Sequence, residues 1–276
     1  LVITVALVIR NASISSGPPS AAASLGAYQW DDRAWVDTPL TFKNSMDRMH
    51  SAGVTDLYVD ITRAITYVRQ DPAAVAPYLH ALGVVLVNGS KRYIRVHALF
   101  GDPTWATTDR QAPFDALAIV RRFEKQEGRP LAGVQFDVEP WGLPTWPANK
   151  ADYVDHYLSF VSEVASSFRS SALPGSLGFA VPYWFDGTNG ALSRGSVPLV
   201  PLLNSLRPVT RRYIVVMAYR DHATGANGTI ELMAAPLALA EHFKVSVIAG
   251  LELGNVQPPS TTYYARSAAD LNQALG

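Results

Sequence analysis

The chain has 276 residues, 48% of them hydrophobic, 17% charged and 10% aromatic, which is ample apolar material for one large core. Its 23 basic and 23 acidic residues cancel, so no cationic surplus points to nucleic acid or an anionic membrane surface as partner. Cysteine is absent, which excludes disulfides, thiol nucleophiles and Cys-ligated zinc or iron–sulfur centres.

The first nine residues, Leu1 to Ile9, form an apolar run too short to cross a bilayer as a helix. Arg10 follows, and then a stretch from Asn11 to Ser24 rich in Ser, Ala, Gly and Pro. This pattern reads as the end of a signal peptide or anchor followed by a linker. The expectation is therefore an exported protein, secreted or held at the cell surface, with 1–24 outside the folded domain and 25–276 forming it. A buried first strand is the other reading of the apolar run. Asn11, Asn88 and Asn227 each head an N-glycosylation tripeptide.

After the linker, short β-rich runs alternate with helical patterns. The candidate strands are Leu25–Trp30, Asp56–Ile61, Tyr93–Phe100, Gly133–Val138, Leu177–Pro182, Tyr213–Ala218 and Val245–Leu251. They recur at the spacing of successive β/α units. Most are near-continuous apolar runs, as in Ile214-Val-Val-Met-Ala218, which implies burial on both faces of a parallel sheet. Helices are expected over Thr41–Ala52, Ala73–Leu82 behind an Asp71-Pro72 start, Pro113–Glu127, Lys150–Ser170, Ile230–Phe243 and Ser267–Leu275. Pro236 is expected to kink or split its helix, and Val84–Ser90 reads equally as helix end or extra strand. The fold class is α/β, a (β/α)8 TIM-type barrel, with the eighth strand unassigned or beyond Gly276. An open doubly wound sheet is the alternative. No glycine-rich phosphate motif follows any strand, and no cofactor is expected.

In such barrels the functional residues sit at the C-terminal ends of the strands. Those positions hold Trp30 and Asp31; Asp60 and Arg63; Asp102 and Trp105; Asp137, Glu139 and Trp141; Tyr183 and Trp184; Tyr219, Arg220 and Asp221; and Glu252. Asp137 and Glu139 lie two apart on a strand, so both face the barrel axis. Two like charges so close resist joint ionisation, and one is expected to keep a proton near neutral pH. A protonated carboxyl is what a glycosidic oxygen needs as general acid. The alternative is an ion pair with Arg63 or Arg220. Trp30, Trp105, Trp141 and Trp184 follow different strands and offer stacking faces for sugar rings. His97 reads as a hydrogen-bonded residue at the core edge. His222 beside Asp221 has no second His at ligand spacing, so no metal is expected.

Val134-Gln-Phe-Asp-Val-Glu139 resembles the strand-four signature of glycoside hydrolase family 18, the chitinase-like barrels. Met217-Ala-Tyr219 is similar to that family's strand-six motif, and Gly250-Leu-Glu-Leu-Gly254 is faintly similar to its strand-seven motif. The resemblance implies that Glu139 is the acid, that Asp137 orients a substrate acetamido group acting as nucleophile, and that Tyr219 bonds that group. The chain departs from the family at Ala132 and Gln135, where the signature has Asp, and at Leu99-Phe-Gly-Asp102. Glu252, at the end of strand seven, supplies a second scheme. A carboxyl about 5 Å from Glu139 suits a retaining mechanism with an enzyme nucleophile, and one roughly 6.5–9.5 Å away suits inversion. The leading expectation is a secreted glycoside hydrolase with a carbohydrate substrate, acting as a monomer. A chitinase-like carbohydrate-binding protein without turnover, and a barrel enzyme using the carboxylates as metal ligands, are the alternatives.

Overall fold

The computed structural model describes residues 3–8, 24–187 and 197–275. Its strands are β1 (Ile3–Val8), β2 (Ser24–Gln29), β3 (Val54–Asp60), β4 (Arg95–Phe100), β5 (Gly133–Phe136), β6 (Ser176–Pro182), β7 (Arg212–Met217) and β8 (Ser246–Gly250). The helices are α1 (Arg33–Val36), α2 (Pro39–Ser51), α3 (Arg63–Gln70), α4 (Val75–Ser90), α5 (Ala112–Glu127), α6 (Lys150–Ser170), α7 (Leu199–Ser205), α8 (Thr229–Phe243) and α9 (Ala268–Leu275). Strands β2 to β8 pair in parallel and in chain order, with helices between them, as in a (β/α)8 barrel. The place of an eighth parallel strand is taken by β1, which runs antiparallel between β2 and β8 and closes the ring. That strand lies in the apolar run read above as an export segment. The linker read over Asn11 to Ser24 falls outside the described residues except for Ser24, which begins β2.

All seven expected strands are present. Alternation divides each into two buried faces. Tyr28, Tyr58, Leu99, Tyr213, Val215 and Ile248 pack together inside the ring. Their neighbours, such as Leu57, Ala98, Phe136, Ile214 and Val247, pack outward against the helices. Burial on both faces is what continuous apolar runs demand. Helix α5 ends at Gly128, whose φ of +64° suits a residue without Cβ.

Three details correct the expected helices. Asp71 does not cap a helix beginning at Ala73: it accepts the Ala73 N–H in a turn, and α4 starts at Val75. The ambiguous Val84–Ser90 is helical, because Tyr78, Leu79, Leu82, Val85 and Gly89 form one buried stripe at helical spacing. Helix α8 runs unbroken through Pro236, which is itself buried with Leu232, Met233 and Ala240 on the core face. No helix among the described residues is long and apolar enough to cross a membrane.

Candidate active site

The C-terminal end of β5 carries the carboxylate pair. Gln135 points into the ring: its amide donates to the Tyr28 hydroxyl at 2.7 Å and accepts from the Tyr213 hydroxyl at 3.3 Å. Val134, Phe136 and Val138 point the other way into the helix-packed core. Asp137 and Glu139 continue the inward parity of Gln135. A neutral amide thus stands at position 135, where a group that both donates and accepts can join two hydroxyls across the barrel.

The chain at Asp137 is held by β4. Its N–H donates to the Phe100 carbonyl at 2.8 Å. A Cβ placed on Gly101 would lie 2.1 Å from the Asp137 carbonyl oxygen, so only glycine allows this approach. Gly101→Ala is expected to push the Asp137 segment outward, at a cost of about 1–3 kcal/mol. A lowered Tm together with lost activity would show it; an unchanged Tm would contradict the close contact.

Burial and the charge of Glu139 push the Asp137 carboxyl well above the usual carboxylate range. Burial raises Glu139 as well. Asp137 Oδ1 is buried and has no hydrogen-bond partner among the described residues. The expected cationic partners are elsewhere. Arg63 pairs with Asp32 at 2.8 Å. Arg220 donates to the Tyr219 carbonyl at 2.6 Å and lies 4.6 Å over the Tyr183 ring. Among the described residues the two acids have no ion-pair partner, so they titrate as a pair, and the last proton is the hard one to remove.

One neighbour opposes that rise. The Trp141 indole N–H donates to Glu139 Oε2 at 2.8 Å and lowers its pKa. Trp141 is fixed by edge contacts to Tyr157, Trp184 and Phe185 at 5.3–5.8 Å. Trp184 rests in turn on Trp146. Trp141→Phe keeps the packing and removes the donor. It is expected to move the upper limb of the pH–rate profile, assigned to Glu139, to higher pH by about one unit, since such bonds to charged groups contribute about 1.5 kcal/mol. A pH profile identical to wild type would contradict the role given to this bond.

Tyr219 completes the cluster. Burial and the charges of Asp137, Glu139 and Glu252 push its phenol far up, so it stays a hydrogen-bond donor. Glu252 stands on its flank, and its Oε1 accepts the Gly254 N–H. Tyr157 was not expected from the sequence as a site residue, because it sits mid-helix in the stripe that α6 buries against the core. Its hydroxyl donates to the Ala180 carbonyl at 2.6 Å, and the charges of Asp137 and Glu139 act on it. Asp137 and Tyr219 open on a cleft with Trp30, which stacks on Tyr28 at 5.6 Å. That cleft has about 10 Å³ of free room, enough for about one water. Trp30, which lines this cleft, is 36% exposed.

The remaining expected residues divide. Trp30 lines the cleft with Asp137 and Tyr219, Trp141 bonds Glu139 and touches Trp184, and Tyr183 lies beneath the Arg220 guanidinium. Trp105 is not at the rim: it is 4% exposed and packs on Phe100 and Phe136. Asp102 turns back to cap its own short helix, accepting from the Thr104 N–H and hydroxyl at 2.8 and 2.5 Å. Asp31 pairs with Arg33 at the surface, and Asp221 with His222 and Arg266. His97 is buried and bonded to Asp56.

Asp60 accepts from the Thr62 N–H, and burial pushes its pKa up to about 6. The folded protein thus holds a proton that the unfolded chain releases near pH 4, so stability falls as pH rises through this window. Asp60→Asn keeps the acceptor and is expected to stabilise the fold at pH 7 by about 2 kcal/mol. Thermal melts at pH 7 and pH 4 check this; the gain should vanish at pH 4.

No protein-family model matches the chain, and no curated protein matches it. Solved structures to which it is similar include an exo-β-1,4-mannosidase from an Opitutaceae bacterium, with 14% identity and a TM-score of 0.44 over 86% of this chain and 55% of that one. A family 18 chitinase from Cycas revoluta gives 16% identity and a TM-score of 0.47 over 76% and 64%. A Toxoplasma gondii protein assigned as a deoxyribose-phosphate aldolase gives 13% and 0.42 over 80% and 73%. The chain thus spans little more than half the length of the mannosidase and under two thirds of the chitinase. These likenesses concern the barrel fold, which hosts many reactions.

Proposed function

We propose that the protein is a glycoside hydrolase in which Glu139 is the general acid. The observation that supports this is the Asp137–Glu139 pair at the C-terminal mouth: burial raises both carboxyls, the charge of Glu139 raises Asp137 further, and no cation lies within ion-pair distance of either among the described residues. Such a pair keeps a proton near neutral pH, ready for a leaving-group oxygen. As Glu139 gives its proton away, Asp137, which burial and the charge of Glu139 hold protonated, shares its own across the pair. Tyr219 donates to the substrate beside them. The aromatic faces of Trp30, Tyr183 and Trp184 give the mouth surfaces suited to a sugar ring. The nucleophile is either a group of the substrate, oriented by Asp137 and Tyr219, or Glu252. An N-acetyl requirement favours the first, and a covalent intermediate lost in Glu252→Gln the second. Export is part of the proposal, on the Ser-, Ala- and Pro-rich stretch that follows Arg10 alone, since Ile3–Val8 forms strand β1.

The test is release of reducing ends from a panel of chitin, mannan and cellulose oligosaccharides. Turnover by the wild type, insensitive to a chelator, is the expected outcome. Binding without turnover would instead support the carbohydrate-binding reading, and loss of turnover on chelation the metal-dependent one.

A further inference from the structure

Two cavities lie at the opposite end of the barrel, among the N-terminal ends of the strands. One cavity of about 450 Å³ is bounded by Arg95, His97, Arg211, Arg212 and Lys244, with a single carboxylate, Asp56. A second, of about 540 Å³, shares Arg95, Ala132 and Arg211 with it. The stabilising end of such a barrel has no evident need for room or for a gathering of cations.

The charges there do not balance. Asp56 is fully used: it takes the Arg95 guanidinium on two oxygens at 2.8 and 2.6 Å and the His97 ring at 2.8 Å. Arg211, Arg212 and Lys244 have no carboxylate within ion-pair distance among the described residues. Every Asp and Glu of the sequence lies within those residues, so the chain holds no other acid to neutralise them. The Arg212 guanidinium is pinned by the carbonyls of Arg207, Val209 and Phe243 at 3.0, 2.6 and 3.2 Å. Carbonyls fix its place but leave its net charge. Arg211 donates to the Pro174 carbonyl in the same way. His97 Nδ1 and Arg212 Nε are buried and have no hydrogen-bond partner among the described residues. The side chain of His97 is 7% exposed.

We propose that this cavity is an oxyanion site, which takes the phosphate or carboxylate group of a small molecule. A pinned guanidinium is pre-organised for oxygen pairs, and Arg211 and Lys244, both exposed, can close on the anion from the rim. The rings of Tyr58 and Tyr213 line the same cavity and give an apolar wall for the rest of the ligand. This site is separate from the mouth, so the proposal stands whether or not the barrel cleaves glycans.

The test is calorimetric titration of the whole chain with inorganic phosphate, glucose 6-phosphate, glucuronate and glucose. One-site binding of an anionic probe with a dissociation constant of about 1 mM or below is expected, with none for glucose. The phosphate and carboxylate arms show which oxyanion is preferred. Arg211→Gln with Lys244→Gln should weaken binding about tenfold or more, with Tm unchanged because both side chains are exposed. No saturable binding by any probe at about 10 mM, or equal binding in the double variant, would overturn the proposal. Displacement of phosphate by chloride at equal concentration would do so too, since it would reduce the effect to charge screening.

Discussion

Glu139→Gln is expected to lose glycan hydrolysis by about 10²–10⁴-fold while still binding the glycan, because an amide cannot deliver the proton that general acid catalysis supplies. The substitution is close to isosteric, and its amide oxygen can still accept from the Trp141 indole at the position of Oε2. The fold should survive and gain. Glu139 is raised in pKa by burial, so above the ordinary carboxylate range the folded state is penalised relative to the unfolded chain. Removing the acid removes that penalty, and Tm at pH 7 should rise or stay level. The measurements are kcat, the glycan dissociation constant and Tm on the same preparation. Turnover near that of wild type would remove Glu139 from the acid's role.

Asp137→Asn is expected to lower kcat by about 10²-fold and to move the upper limb of the pH–rate profile toward acid. The sign follows from the pair. With Asp137 present, a second negative charge opposes loss of the last proton, so the pair stays an acid to higher pH. With Asn there, Glu139 ionises at lower pH and stops being an acid sooner. Stability moves the other way. The folded state holds a proton on the pair that the unfolded chain has lost above about pH 4, so wild-type stability falls as pH rises from there. The Asn variant should show a flatter stability–pH curve and a higher Tm at pH 7. An upper limb that moves to higher pH would contradict the coupling.

Continuous apolar runs made the parallel strands readable, because a strand buried on both faces has few other sequences available to it. The same rule could not place β1. An apolar run of that length satisfies a leader, an anchor or a strand, and only pairing with β2 and β8 distinguishes them. The carboxylate pair was readable because i and i+2 on a strand share a face. Which aromatic rings meet the mouth was not. Trp105 and Trp141 both follow strand ends, yet Asp102 caps a turn that folds Trp105 back over Phe100 and Phe136, while Pro140 starts a turn that brings Trp141 against Glu139. Arg63 looked like a partner for the acids, but its contact with Asp32 spans two β/α units, which no local pattern reveals. The short helices α3 and α7 were missed for a related reason. Few of their residues are buried, so their hydrophobic period is too brief to read.

Carbon-13 NMR titration of the side-chain carboxyls tests the central claim most directly, and needs no substrate. The account predicts carboxyl resonances from Asp137 and Glu139 that remain protonated well above the ordinary range near pH 4. They should titrate as a coupled pair, with the surviving member shifting toward acid in either single amide variant. Two carboxyls titrating independently near pH 4, unmoved by each other's removal, would contradict it.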